Sequence, residues 1–285
     1  MRVVALVTCH NRRALTLRCL HSLFSQELPE SAPIVEAVVV DDGSTDGTSD
    51  AIRAEFDHAF VVHADGSLYW ARGMQVAEIR AAQRRPEYFL WLNDDVTLDP
   101  TALSHLLATA DACPEAIVVG ALRDPETGAV TYSGVKQSSW HVLRTRVVQP
   151  GDEPRDADTF NGNVVLVPRA VSERVGPIDG GFAHSQADFD YGLRAREERI
   201  RIVVAAGTVG VCPRGHLSGT FRDTTLPLRT RWRLIQGPKG LPMRSHARFL
   251  RRHGGRLWPL FWAAPYVKLV VSAVATAPRR LLGRG

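Results

Sequence analysis

Apolar runs and amphipathic stretches alternate along the first 120 residues, and most of the runs end in a polar cluster. Residues 3–8 are apolar and rich in valine, as expected of a strand buried on both faces. Over 14–25 the spacing of Leu17, Leu20 and Phe24 predicts one face of a helix. Residues 35–40 predict a second buried strand, closed by Asp41-Asp42-Gly43-Ser44. A helix then starts near Asp46, with Thr45 or Ser44 available as its cap. Residues 60–63 predict a third strand, 71–84 a third helix and 88–92 a fourth strand. Residues 102–110 read as helix and 116–120 as a fifth strand.

This βαβα rhythm predicts an α/β fold, a Rossmann-like and mainly parallel central sheet with helices on both faces. Right-handed crossovers gather the strand ends along one edge, where open α/β sheets bind ligands. The polar clusters fall at those ends: 8–12 after the first strand, 41–46 after the second, Asp65-Gly66 after the third, and 93–95 after the fourth. Residues 121–215 predict mixed strands and Gly/Pro-rich turns, with one helix near 186–198. Beyond about 226 the chain turns basic and helical, and it contains no internal repeat.

Charge sharpens that division. From Arg214 onward fifteen Lys or Arg face one acid, Asp223, whereas the preceding 213 residues carry twenty bases and twenty-nine acids. Such asymmetry points to a tail facing an anionic partner. Four scattered cysteines without a C-x-x-C pair read as reduced thiols. The N-terminus lacks the h-region of a signal peptide, so the chain is expected on the cytoplasmic side, cytoplasmic or peripheral on the inner face of the membrane.

Asn93-Asp94-Asp95 sets adjacent carboxylates at a strand end, a costly arrangement unless a cation neutralises it. A divalent metal there, Mg²⁺ or Mn²⁺, would bridge a diphosphate; a solvated turn with Asp95 as helix cap is the plainer alternative. Residues 41–47 are equally suited to a loop and helix start, or to an Asp that holds a base or ribose. Neither G-x-x-x-x-G-K-[ST] nor G-x-G-x-x-G follows the first strand, so phosphates would need a metal plus side chains.

Four segments occur in order: Val7-Thr8-Cys9-His10-Asn11-Arg12, Val40-Asp41-Asp42-Gly43-Ser44-Thr45-Asp46-Gly47-Thr48, Leu92-Asn93-Asp94-Asp95 and Asp188-Phe189-Asp190-Tyr191-Gly192-Leu193-Arg194. Together they resemble glycosyltransferase family 2, with its GT-A fold, and its bacterial rhamnosyltransferase-like members, over roughly residues 1–225. The resemblance implies that Thr8, Asn11 and Arg12 line the nucleotide pocket, with Asp42 on the base and Asp65 near base or ribose. Asn93-Asp94-Asp95 matches the D-x-D motif with Asn in place of its first acid. That leaves Asp95 as the main metal ligand, supported by Asp94.

The 188–190 segment matches E-D-x-D with Ala187 in place of Glu, and by that match Asp188 is the base of an inverting transfer. Asp190 is the alternative, because helix neighbours two apart face differently and one alone points into the site. His216-Leu217-Ser218-Gly219-Thr220 resembles the family's H-x-x-G-[ST] segment, which implies His216 as a metal or diphosphate ligand, beside Arg214 and Arg222. Asn161-Gly162-Asn163 would lie beneath the donor sugar, and 66–73, with Trp70 and Arg72, on the donor side; His184 would line the acceptor pocket.

The expected organisation is a catalytic domain over 1–225, with a nucleotide-binding half (1–120) and an acceptor-binding half (121–225), followed by a basic helical extension over 226–285. Expected partners are a nucleotide-sugar donor, dTDP-rhamnose or a UDP-hexose, a glycan or lipid-linked acceptor, and a second copy of the chain. The aromatic stretch over 257–277, flanked by arginines, suits an anionic membrane surface or packing on the protein itself. A sugar nucleotidyltransferase would need a Gly-rich basic signature after the first strand, which is absent. A non-catalytic descendant draws on the Asn93 and Ala187 departures. Nucleic acid is not an expected partner, because it leaves the acidic clusters unexplained.

Overall fold

A computed structural model describes residues 1–29, 33–138, 141–215 and 217–281. Its centre is an eight-stranded sheet that includes β1 (Arg2–Cys9), β2 (Ile34–Asp41), β3 (Ala59–His63) and β4 (Tyr88–Leu92). The strand order is Arg155–Asp156, Ile202–Val204, Ile117–Val119, Val164–Pro168, β4, β1, β2, β3. Neighbours among β4, β1, β2 and β3 pair in parallel, as the βαβ pattern requires.

Period two is visible in what each strand buries. Val3, Ala5, Val7 and Cys9 of β1 enter one core, while Val4 and Leu6 enter the other. Helices α1 (Arg13–Phe24), α2 (Thr48–Glu55) and α4 (Ala102–Ala112) cover the first face, with Leu20, Leu23, Ile52, Leu103 and Leu106 buried. The other face is covered by α3 (Tyr69–Ala82), α5 (Arg169–Val175) and α6 (Ala187–Glu197), which contribute Met74, Val171 and Tyr191. Two-sided burial explains why the strands read as continuous apolar runs.

Strand Val164–Pro168 departs from the parallel pattern, running antiparallel between β4 and Ile117–Val119. This inversion is what builds the site. Val164 pairs with Leu92, so Asn163 arrives beside Asn93, whose N–H donates to the Asn163 carbonyl at 3.0 Å. Two smaller sheets from the 97–211 region wall off the same edge.

Helix α2 corrects one local expectation. Its preceding residue is Gly47, at a positive φ of 78°, and the Thr48 N–H is accepted by Asp46, not by Ser44 or Thr45. The basic tail forms α7 (Leu228–Gln236), α8 (Met243–His253) and α9 (Trp258–Leu281). Phe249 and Leu250 of α8 enter the second core, beside Trp258, Phe261 and Trp262 of α9. Among the described residues no helix is long and apolar enough to cross a membrane.

Candidate active site

A cavity of about 1550 Å³ opens where the parallel strands end. Thr8, Arg12, Asp42, Asn93, Asp94, Asp95, Asn163 and Asp188 line it, although they lie up to 180 positions apart in the sequence. Asn11, Asp65, Arg72 and Asp190 do not line it. His216 lies outside the described residues.

Asp42 is buried at the end of β2, and its carboxylate accepts the backbone N–H groups of Gly66, Leu68 and Tyr69 at 2.8–3.1 Å. Three of roughly four lone-pair directions are therefore engaged, so Asp42 holds the 66–69 loop in place as well as facing the cavity. Asn11 acts similarly: its side-chain oxygen accepts the Thr45 N–H at 2.8 Å, and its N–H donates to Ser44, tying the two strand-end loops together. Asp65 is fully exposed and caps its own turn by accepting from Ser67. Arg72 donates to the Gly180 carbonyl at 3.0 Å, bracing α3 against the 180 loop.

Asp94 and Asp95 follow β4, and one guanidinium bridges both. Arg12 Nη1 lies 2.6 Å from Asp94 Oδ1, and Nη2 lies 3.1 Å from Asp95 Oδ2. Burial raises the Asp94 pKa to about 6, against the opposing pull of Arg12. The Cys212 thiol approaches Asp95 Oδ1 at 3.6 Å and is pushed up to about 12, chiefly by burial. Asn93 accepts the Trp70 indole N–H at 2.8 Å, a bond that the amide makes without adding a third charge to the cluster.

Two adjacent carboxylates facing a cavity suit a hard divalent cation, which needs few protein ligands when diphosphate oxygens supply the rest. Among the described residues no group of three or more His, Cys, Asp or Glu is arranged to hold a metal. Asp95 and Asp94 would be the protein's ligands to such a cation, in place of their present partner Arg12.

Asp188 lies in the first turn of α6 and lines the same cavity. Its Oδ2 accepts the Gly162 N–H at 3.1 Å, and no cation pairs with it among the described residues. Burial raises its pKa to about 6. Gly162 is required by this approach: a Cβ there would sit 2.9 Å from the Trp70 ring and 3.2 Å from Asp188 Cβ. Asp190, which does not line the cavity, is wholly buried among Arg194, Arg252 and His253. Burial alone would raise its pKa, but hydrogen bonds from His253 and Arg194 hold it below the usual range.

Non-glycine residues with positive φ occur at the cavity lining (Tyr69 at 55°, Gln186 at 77°) and beside it (Asn11 at 50°), as well as at Arg85, Glu115 and Arg199. His184, edge-on to Trp70, has its pKa lowered to about 4, first by burial and then by Lys239 and Arg12.

The glycosyl transferase family 2 profile matches residues 4–166, more than half of the chain. The chain belongs to glycosyl transferase family 2. No curated protein matches this glycosyltransferase. Among solved structures it is similar to TarS 1–349 of S. aureus in complex with UDP, at 18% identity and TM-score 0.56, covering 89% of this chain and 72% of that one. A longer TarS structure matches at 19% identity and TM-score 0.58, covering 90% of this chain and 44% of that one. It is also similar to the mannosyltransferase PcManGT of Pyrobaculum calidifontis in complex with GDP-Man and Mn²⁺, at 20% identity and TM-score 0.56, covering 97% and 75%. At these identities the likeness establishes the GT-A architecture.

The cavity also has a wall that the sequence pattern did not announce. Arg231, Lys239 and Lys268 of the basic tail line it. Their signal was the charge asymmetry, which read as a surface facing outward because helix packing brings them inward only after folding.

Proposed function

We propose that this nucleotide-sugar glycosyltransferase inverts the anomeric centre, with Asp188 as the base and the 93–95 edge as the donor side. The observation that carries the proposal is Asp188 itself: a carboxylate facing the cavity, unpaired among the described residues and poised near neutrality. As the acceptor hydroxyl oxygen attacks the anomeric carbon, its proton passes to an Asp188 carboxylate oxygen. The bond from that carbon to the diphosphate oxygen breaks, and the nucleoside diphosphate leaves with the electron pair. Arg12 is positioned to meet the phosphates. When bound at Asp95 and Asp94, Mg²⁺ or Mn²⁺ would neutralise charge developing on the leaving diphosphate.

Thr8, Arg12, Asp42 and Asn93 form the nucleotide side, with Asn163 beneath the sugar. Asn11, Asp65 and Arg72 serve through loop geometry, and His216 remains the proposed diphosphate ligand. The motif resemblance favours dTDP-rhamnose, with a UDP-hexose next; the UDP of TarS and GDP-Man of PcManGT widen the panel worth testing. The acceptor is a cell-surface glycan or lipid-linked sugar, reached from the cytoplasmic face. Residues 1–225 form the catalytic domain, with 1–120 its nucleotide-binding half and 121–225 its acceptor-binding half, and 226–285 form the basic helical extension.

The bridging of both acids by Arg12 favours one second reading, a transferase whose own cation, Arg12, takes the diphosphate charge without metal. Thermal unfolding with UDP, dTDP, GDP and CDP, each with and without Mn²⁺, separates the two. A shift for one nucleotide that grows with Mn²⁺ and is lost in Asp95→Ala supports the metal reading. A shift indifferent to Mn²⁺ supports the second reading, and no shift with any nucleotide overturns both.

A further inference from the structure

Arg231 of α7 is 5% exposed, yet its guanidinium has no carboxylate partner among the described residues. Nε donates to the Phe221 carbonyl at 2.9 Å and Nη2 to the Ser272 hydroxyl at 3.1 Å, both neutral acceptors. Asp223 feels its charge but is held by Gly219 and Thr225 instead. A buried cation without a counter-charge is costly, and this one lines the cavity. Lys239 and Lys268 line the same region, and neither forms an ion pair among the described residues.

Leu241, Pro265 and Leu269, from the same basic extension, add apolar surface to the cavity lining. Ala264 belongs to the cavity lining and also to an exposed face of α9 carrying Leu260, Val267 and Val271, which are 66%, 59% and 60% exposed. Their spacing, at 260, 264, 267 and 271, places all four on one stripe. Ala264 thus links the cavity lining to an exposed apolar stripe on α9.

We propose that this half of the cavity is the acceptor subsite, built for a phosphate ester carried on an apolar chain. The phosphate sits on Arg231 with Lys239 and Lys268, and the chain leaves past Leu241, Pro265 and Leu269 along α9. The assignment rests on the transferase reading above and names its acceptor class. Arg is suited to the role because its fork meets two phosphate oxygens at once.

The test uses the full chain and probes that contain no nucleotide. Octyl phosphate, octyl glucoside and inorganic phosphate are titrated by calorimetry, below the micelle concentration, alongside UDP, dTDP and GDP. Octyl phosphate is expected to bind saturably and about tenfold or more tighter than either control, and Arg231→Gln and Lys268→Gln to weaken it about tenfold. Nucleotide affinity should be unchanged in both variants. Equal binding of octyl glucoside, or octyl phosphate binding untouched by the substitutions, overturns the subsite. Nucleotide binding lost in Arg231→Gln also overturns it, by giving the guanidinium to the donor diphosphate. Should Arg231→Gln fail to fold, exposed Lys268→Gln decides. Failure of every nucleotide with octyl phosphate still bound would sink the transferase reading and leave the subsite standing.

Discussion

Asp188 and Asp190 sit two positions apart at the start of α6 and occupy opposite electrostatic surroundings. Asp188 faces the cavity with its pKa raised to about 6 by burial, whereas Asp190 is enclosed by cations and held low. A base must be deprotonated to work, so its carboxylate form is lost below about pH 6. The free-enzyme kcat/KM should therefore rise with pH through about 6 and level off above it. Asp188→Asn should cost about 10²–10⁴-fold in kcat while nucleotide affinity is kept. A full-rate Asp188→Asn enzyme would move the base elsewhere. Asp190→Asn should behave differently, losing on the order of 3 kcal/mol of stability because Arg194 and Arg252 are left without their buried partner. Its denaturation midpoint should fall while the kinetic midpoint near pH 6 stays in place. The motif match presented both residues as candidates. Only packing separates them, because the partners Arg252 and His253 come from 62 and 63 positions away.

Elements were more legible than contacts. The predicted strand 88–92 coincides with β4, and the boundaries of β1, β2 and α6 move by one residue at either end, because two-sided burial and helical spacing write themselves directly into the sequence. The direction of Val164–Pro168 was not legible: an apolar run has the same composition whichever way it pairs. Helix α8 illustrates the same limit. Its basic composition suggested a partner outside, yet Arg248 and Arg252 pair with Asp179, and His246 is buried with Nδ1 3.2 Å from Gln186 Oε1. Burial lowers the His246 pKa from 6.5 to about 4, so the neutral ring favours the folded state above pH 6.5. That stability is lost as pH falls from 6.5 toward 4, by up to about 3 kcal/mol. His184 adds to the same slope, and the raised carboxyls Asp94 and Asp188 oppose it, so the readout is a difference. Unfolding free energy measured across this window should fall less steeply in His246→Leu than in the parent; parallel curves would refute the assignment.

At the scale of the whole molecule, the charge division and the folding division do not coincide. Fifteen bases lie from Arg214 onward, yet the helices that carry most of them complete a core begun 240 residues earlier. Phe249 and Leu250 of α8 pack in the cluster that holds Val4, Leu6 and Met74, and Arg252 supplies a counter-charge for Asp190. Cutting the chain after residue 225 would remove all of these at once. It would expose the apolar seat of α8 and strip Asp190 of two of its three partners, Arg252 and His253. Losses of buried aromatic and ion-pair contacts of this kind each cost about 3–5 kcal/mol, comparable to the entire stability of a typical domain. The 1–225 fragment should therefore be recovered poorly and lack a cooperative thermal transition, while the full chain melts in one step. A fragment that unfolds cooperatively near the parent temperature would mean that the basic helices are an appendage. Their cations would then be free to face a surface outside the molecule.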